Sequence, residues 1–175
     1  MYSDQQAIAA ETILYGFRPT PAGLVAIAVS RKGVVAILLG ADPHELRRKL
    51  AQALPAADLI EHEASTGPLL DVVAQHIANP TGEPGFDLDM RGSVDECAVW
   101  SALRTIPIGE TRSYGALAKT IGTGITAQEV GPACAANRLA VVIPCHRVLK
   151  AGGSISGYRW GVHRKRKLLA MEKAA

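Results

Sequence analysis

One stretch of the 175-residue sequence carries side chains suited to covalent chemistry: Val141-Val142-Ile143-Pro144-Cys145-His146-Arg147-Val148. Cysteine is the side chain most readily turned into a strong nucleophile near neutral pH, because its thiolate is accessible from a free pKa of about 8.5. The neighbouring imidazole of His146 can take the thiol proton, and Arg147 favours negative charge close by. The apolar run 141–143 predicts a strand entering Pro144. Adjacent side chains of an extended strand point to opposite faces, so a bend or a bridging water must connect Cys145 to His146. A carboxylate should then hold the other imidazole nitrogen, and Glu172 is the only acid after Glu129. The same spacing equally suits a buried strand cysteine followed by a surface histidine. Cys97, Cys134 and Cys145 are an odd count without CxxC spacing, which argues against a disulfide framework and a structural zinc site. Cys97 and Cys134 read as small core residues, and His44, His62, His76 and His163 lack metal-ligand spacing.

The elements that must position these groups are mostly helical. Ser93-Val94-Asp95-Glu96 is a capping-box pattern leading into a helix with Val99, Trp100, Leu103 and Ile106 inward, stopped by Pro107-Ile108-Gly109-Glu110. Ser113 caps a short helix through Leu117 and Ile121. A glycine-rich turn, Gly122-Thr123-Gly124, then leads to a second capping box, Thr126-Ala127-Gln128-Glu129. Helix, turn and helix in about two dozen residues fit a helix-turn-helix, and fit an ordinary packing unit as well.

The first half predicts a small α/β scaffold with no chemistry of its own. The runs 24–29 and 34–39 read as a hairpin joined by Ser30-Arg31-Lys32-Gly33. Asp42-Pro43-His44-Glu45 opens a helix with Asp42 as N-cap, Pro43 at the first helical position and Glu45 reaching back. Leu46, Leu50 and Leu54 form its buried stripe, with Arg47, Arg48 and Lys49 toward water. A second helix is predicted over 68–78, and the breaker cluster 79–85 marks a linker. The fold class is therefore α+β: an N-terminal α/β unit over 1–85 and a helical, winged-helix-like unit over 86–175.

Composition is close to the globular average, with 48% hydrophobic and 20% charged residues, which excludes disordered and fibrous architectures. No apolar run approaches the ~20 residues of a membrane span, and Asp4 stands where a secretory signal carries basic residues, so a cytoplasmic protein is expected. The net charge of +3 hides an asymmetry. Residues 1–99 carry 7 Lys/Arg against 13 Asp/Glu, a net of −6, and residues 100–175 carry 12 against 3, a net of +9. Either the basic half meets an anion, nucleic acid above all, or two charge-complementary units pack together.

The stretch Ile143-Pro144-Cys145-His146-Arg147-Val148 resembles the active-site signature of the O6-alkylguanine-DNA alkyltransferases, the methylated-DNA–protein-cysteine methyltransferases. The resemblance extends through Trp100-Ser101-Ala102-Leu103-Arg104-Thr105-Ile106-Pro107, Ser113-Tyr114, Ala133-Cys134-Ala135-Ala136-Asn137 and Ser156-Gly157-Tyr158-Arg159-Trp160-Gly161-Val162. It is densest in the second half and nearest to the guanine-repairing part of the bacterial Ada type. The zinc-cysteine domain that begins full-length members of that type is not matched, so phosphotriester sensing is not expected. The resemblance implies single-use transfer of an alkyl group from O6 of guanine, and O4 of thymine, in double-stranded DNA to Cys145, by a monomer without cofactor or metal. His146, through a water, would remove the thiol proton, and Glu172 would orient His146. Asn137 would hinge the segment joining the recognition helix to the active-site strand. Tyr114 would donate toward the extruded base and its phosphate, and Lys165 would add positive charge. Tyr158 would wall the pocket, with backbone around Cys145, Val148 and Arg159 reading the guanine edges. The DNA surface would comprise Ala127, Gln128 and Gly131 of the recognition helix together with Tyr114 and Arg147.

Departures from the family pattern gather in the DNA-reading element. Gln128 stands where members usually carry an arginine that fills the gap left by the extruded base. Glu129 would repel an approaching phosphate, and Asp95 replaces a buried aromatic. Pro132 falls near the sixth position of a helix begun at Ala127, so the helix is either distorted there or begins at Pro132. These departures predict an intact thiol site on a weakened DNA grip. Two other classes remain at this stage: a non-catalytic lesion-binding protein, against which the presence of Cys145 speaks, and a cysteine hydrolase, for which no oxyanion-hole motif is present.

Overall fold

The computed structural model describes residues 10–122 and 124–174, so Asp4 and Thr123 lie outside the described residues. Its N-terminal part is built on a four-stranded sheet of order β3-β2-β1-β4, from β1 (Glu11–Thr20), β2 (Gly23–Ser30), β3 (Gly33–Gly40) and β4 (Ala57–Glu61). The predicted hairpin is β2 and β3, antiparallel with Ile27 opposite Ile37. β1 and β4 pair in parallel and were not anticipated from the sequence. Gly16 and Pro19 interrupt the β1 pattern. The glycine serves close packing, since a Cβ there would meet Thr66 Oγ1 of the helix Glu63–Ala78 that packs on this strand.

Local capping chemistry sets the helices. α1 (Pro43–Ala53) starts at Asp42, whose side chain accepts from Glu45 N at 2.9 Å while Glu45 Oε2 accepts from Ala41 N at 2.7 Å. It packs on β3, burying Leu46 and Leu50. α2 (Glu63–Ala78) packs on β1 and β2 and begins five residues before the predicted start, because His62 caps it and the helix runs through Pro68. α3 (Val94–Arg104) carries the full capping box of Ser93 and Glu96, with Val99, Trp100 and Leu103 buried. Ser113 caps α4 (Tyr114–Ile121), which ends on the left-handed Gly122, and α5 (Ala127–Ala136) follows. Glu129 Oε2 accepts from both Thr126 N and Thr126 Oγ1, and this closes the start of α5. The helix is therefore continuous through Pro132 rather than beginning there. In both α2 and α5 the proline is the sixth helical residue and follows a glycine, Gly67 or Gly131. A glycine removes the Cβ that would otherwise clash with the proline ring.

The helices α3, α4 and α5 pack against one another, and α6 (Val162–Ala174) lies against the turn that carries Cys145. A two-residue parallel ladder joins β5 (Arg112–Ser113) to β6 (Val148–Leu149). It brings the start of α4 beside the segment that follows Cys145. The architecture is α+β, as the sequence predicts.

The free edge of β3 is covered by the C-terminal part of the chain. Val34 exchanges hydrogen bonds with Asp87 and Asp89, and Ile37 does so with Arg138 and Ala140, at 2.7–2.9 Å. A sheet edge left open would present unpaired backbone groups to other chains. Here the segment leading to Cys145 closes it. No described helix is long and apolar enough to cross a membrane.

Candidate active site

The run 141–143 is not the predicted strand. Val141 has φ +70°, rare for a β-branched residue, and Val142 N donates to Ala140 O across it at 2.8 Å, a strained γ-turn. Ile143 N then reaches back to Leu139 O at 3.0 Å, and a second γ-turn spans Pro144, with Cys145 N donating to Ile143 O at 2.8 Å. Cys145–Arg147 form a 3₁₀ turn. Asn137 is the reason for this path. Fully buried at the end of α5, its Oδ1 accepts from Leu139 N at 2.8 Å. Its Nδ2 donates to Ile143 O at 3.0 Å and to Cys145 Sγ at 3.3 Å. One side chain ties down the loop and holds the sulfur.

Cys145 is 4% exposed at the floor of a cavity of about 370 Å³ lined by Tyr114, Gly131, Cys134, Ala135, Tyr158 and Arg159. Burial pushes its thiol pKa up, against the Asn137 donor and the positive charge of Lys165. The resting group is thus a neutral thiol that needs a base. His146, fully buried, has Nε2 2.6 Å from Glu172 Oε1. Burial alone would raise the Glu172 pKa; the hydrogen bonds from His146 and Arg147 outweigh it and take the carboxyl down to about 2. An ionised carboxylate only accepts, so Nε2 carries the hydrogen and Nδ1 keeps its lone pair. That Nδ1 is buried and has no partner among the described residues. Burial also lowers the His146 pKa, so the ring is a neutral base at physiological pH.

Arg147 does not face DNA. It is 5% exposed, with Nε and Nη2 on Glu172 at 2.8–3.1 Å and Nη1 on Ile106 O at 2.6 Å. A buried carboxylate needs a compensating cation, and the sequence gives no hint that the arginine after His146 is consumed inward. Val148 is also fully buried, its N–H bonded to Cys145 O; its carbonyl accepts from Lys165 Nζ at 2.6 Å and keeps a second lone pair.

The remaining candidates surround the cavity. Tyr114 lines it, its Oη 2.6 Å from Ser156 Oγ; Lys165, fully buried in α6, donates to Ser156 Oγ at 3.1 Å. Ser156 had no role assigned from the sequence, although it lies within a matched segment. The Tyr158 ring lines the cavity, its hydroxyl unpartnered among the described residues. Arg159 is exposed at the rim, its Nη1 bonded to Ala135 O at 2.7 Å. Gly131 and Cys134 of α5 also line the cavity, and burial pushes the Cys134 thiol up to about 12. Ala127, Gln128 and Glu129 are exposed at the start of α5, and Gln128 and Glu129 border a separate groove with Asp95. A larger cleft of about 500 Å³, lined by Glu11, Arg91 and Arg138 among others, holds no thiol or imidazole.

The fold and site define a protein class: an α/β scaffold fused to a helix-turn-helix unit whose second helix walls a pocket over a buried Cys–His–Glu array. Known proteins match this chain in sequence and fold. Residues 96–174 match the family described as 6-O-methylguanine DNA methyltransferase, DNA binding domain. The inducible methylated-DNA–protein-cysteine methyltransferase of Bacillus subtilis is 33% identical over 150 residues, 85% of this chain and 84% of that protein. The bifunctional transcriptional activator/DNA repair enzyme Ada of Escherichia coli is 42% identical over 167 residues, 91% of this chain and 45% of Ada. The crystal structure of Mycobacterium tuberculosis OGT in complex with DNA superposes with a TM-score of 0.76 at 32% identity, covering 92% of this chain and 93% of that one. The chain belongs to the methylated-DNA–protein-cysteine methyltransferase family. It spans less than half the length of the Ada proteins it matches.

Proposed function

We propose that this chain repairs alkylated DNA by moving an alkyl group from O6 of guanine, and from O4 of thymine, onto Cys145, once per molecule. The observation that carries the reading is the pocket-floor thiol of Cys145 backed by His146 and Glu172. The thiol proton passes through a water to His146 Nδ1, and the imidazolium is stabilised by Glu172. The sulfur attacks the alkyl carbon as the carbon–oxygen bond breaks, and guanine leaves with the electron pair. A thioether is not reversed by water, so the protein is consumed. A target base inside a duplex must first be extruded, at a few kcal/mol. The cavity beside Gly131, Ala135 and Tyr158 receives it.

In this reading residues 1–85 are scaffold and 86–175 bind double-stranded DNA through Ala127, Gln128 and Gly131. The protein works as a monomer in the cytoplasm without a cofactor. The test is mass spectrometry of the intact chain and its peptides after mixing with a duplex carrying O6-methylguanine. A methyl replacing the thiol hydrogen of Cys145 is the expected product. Complex formation without a covalent mark, or a mark on another residue, overturns the reading.

A further inference from the structure

Lys165, Ser156 and Tyr114 form a continuous hydrogen-bonded row that ends in the cavity. Lys165 Nζ, fully buried, spends one hydrogen on Val148 O at 2.6 Å and a second on Ser156 Oγ at 3.1 Å. Ser156 Oγ lies 2.6 Å from Tyr114 Oη. Tyr114 lines the cavity with Cys145, whereas Ser156 stands behind it. An ammonium can only donate, so Ser156 Oγ accepts on the Lys165 side. The cation's field turns the serine hydrogen away from it, toward Tyr114 Oη, and successive bonds of this kind polarise one another. Tyr114 then accepts from Ser156, and its own hydrogen is left to point into the cavity.

We propose that Ser156 is a positioning residue that couples the buried charge of Lys165 to Tyr114, so that the row delivers a proton to the departing guanine. The proposal rests on the alkyl-transfer reading above. As the sulfur–carbon bond forms and the carbon–oxygen bond breaks, guanine leaves as an anion. It takes the Tyr114 hydroxyl proton; Tyr114 regains one from Ser156, and Ser156 one from Lys165, which ends neutral and is reprotonated from solvent. The thiol proton stays on His146, so the two proton movements are separate and charge is conserved. Burial lowers the Lys165 pKa and raises that of Tyr114, which makes the ammonium the more willing donor.

The experiment is single-turnover methyl transfer from an O6-methylguanine duplex, measured on the unsubstituted chain, Ser156→Ala, Ser156→Thr, Tyr114→Phe and the double variant Ser156→Ala/Tyr114→Phe. Ser156→Ala should lose about 100-fold in rate, the lower end of the range for positioned proton donation, with duplex affinity unchanged. Ser156→Thr keeps the hydroxyl and should restore the rate. In the Tyr114→Phe background the alanine substitution should add nothing, because Ser156 acts only through the tyrosine. A duplex whose O6-methylguanine carries an electron-withdrawing halogen at C8 releases a less basic anion, so Ser156→Ala should harm its transfer less. An unchanged rate in Ser156→Ala, an additive double variant, no rescue by threonine, or equal losses on both duplexes overturns the proposal. Should the alanine variant not fold, Ser156→Cys, close in size but a weak donor, decides instead: slow transfer supports the row and a parental rate overturns it. Failure of the unsubstituted chain to acquire a methyl defeats the underlying reading, and is seen before any variant is made.

Discussion

Glu172 holds His146 and Arg147 together on one carboxylate that is 5% exposed. This arrangement makes the site acid-sensitive. His146 has a folded pKa below its free value, so the unfolded chain gains its proton first, and stability falls as pH drops below about 6.5. Glu172 has a folded pKa of about 2, so its contribution is complete above its free value and is lost as pH falls toward 2. Its share amounts to about 3 kcal/mol. Denaturant titrations across this range should show stability declining in both windows. In Glu172→Gln the lower window should flatten, and about 3–5 kcal/mol should be lost at neutral pH because Arg147 is left buried without its anion. Asn137→Asp tests the other side of the sulfur. It keeps the acceptor for Leu139 N but removes the donor to Ile143 O and Cys145 Sγ and adds negative charge, so methyl transfer should slow and the pH needed to ionise the thiol should rise. The sequence pointed to Cys145, His146 and Glu172 because their chemistry is complementary. It did not reveal the inward turn of Arg147, which depends on Ile106 and Glu172, 41 and 25 residues away.

Among the elements, α5 serves two surfaces at once. Its first turn is exposed with Gln128 and Glu129, and its later residues Gly131, Cys134 and Ala135 wall the thiol cavity. Pro132 between them removes the hydrogen bond that Gln128 O would receive. Pro132→Ala should therefore raise stability by up to about 3 kcal/mol, read as a higher melting temperature. Gln128→Arg should speed methyl transfer from duplex DNA more than benzyl transfer from free benzylated guanine, because only the duplex needs its gap filled. Equal gains on the two substrates would count against the role given to α5. The starts of α1, α3 and α4 were legible, since Asp42, Ser93 and Ser113 each act on the backbone amide three residues away, whereas the His62 cap of α2 was missed. The loop 138–144 was not. Its apolar side chains read as strand, while its path is set by Asn137 and by the edge of β3, neither visible in a local window.

At the level of the whole molecule the charge asymmetry survives folding. Among the described residues the only ion pair between the acidic residues 1–99 and the basic residues 100–175 is Arg104–Glu83. Arg147 and Lys165 are taken up inside, whereas Lys119, Lys150, Arg166 and Lys167 stay exposed. The excess positive charge is thus free for a polyanion rather than spent on packing the two parts, and transfer from duplex DNA should weaken steeply with added salt. The packing between the parts is apolar instead: one continuous core runs from Ile13 and Ile37 through Trp100 to Leu139 and Leu168.

The seam between β3 and the stretch 138–140 ties reactivity to integrity. The amides of Ile37 and Ala140, bonded across it at 2.7 and 2.9 Å, should exchange with solvent deuterium only through the same global opening, with one shared protection factor. A partly unzipped molecule cannot then keep a working sulfur, so the fraction of chains able to accept a methyl counts the correctly folded population directly.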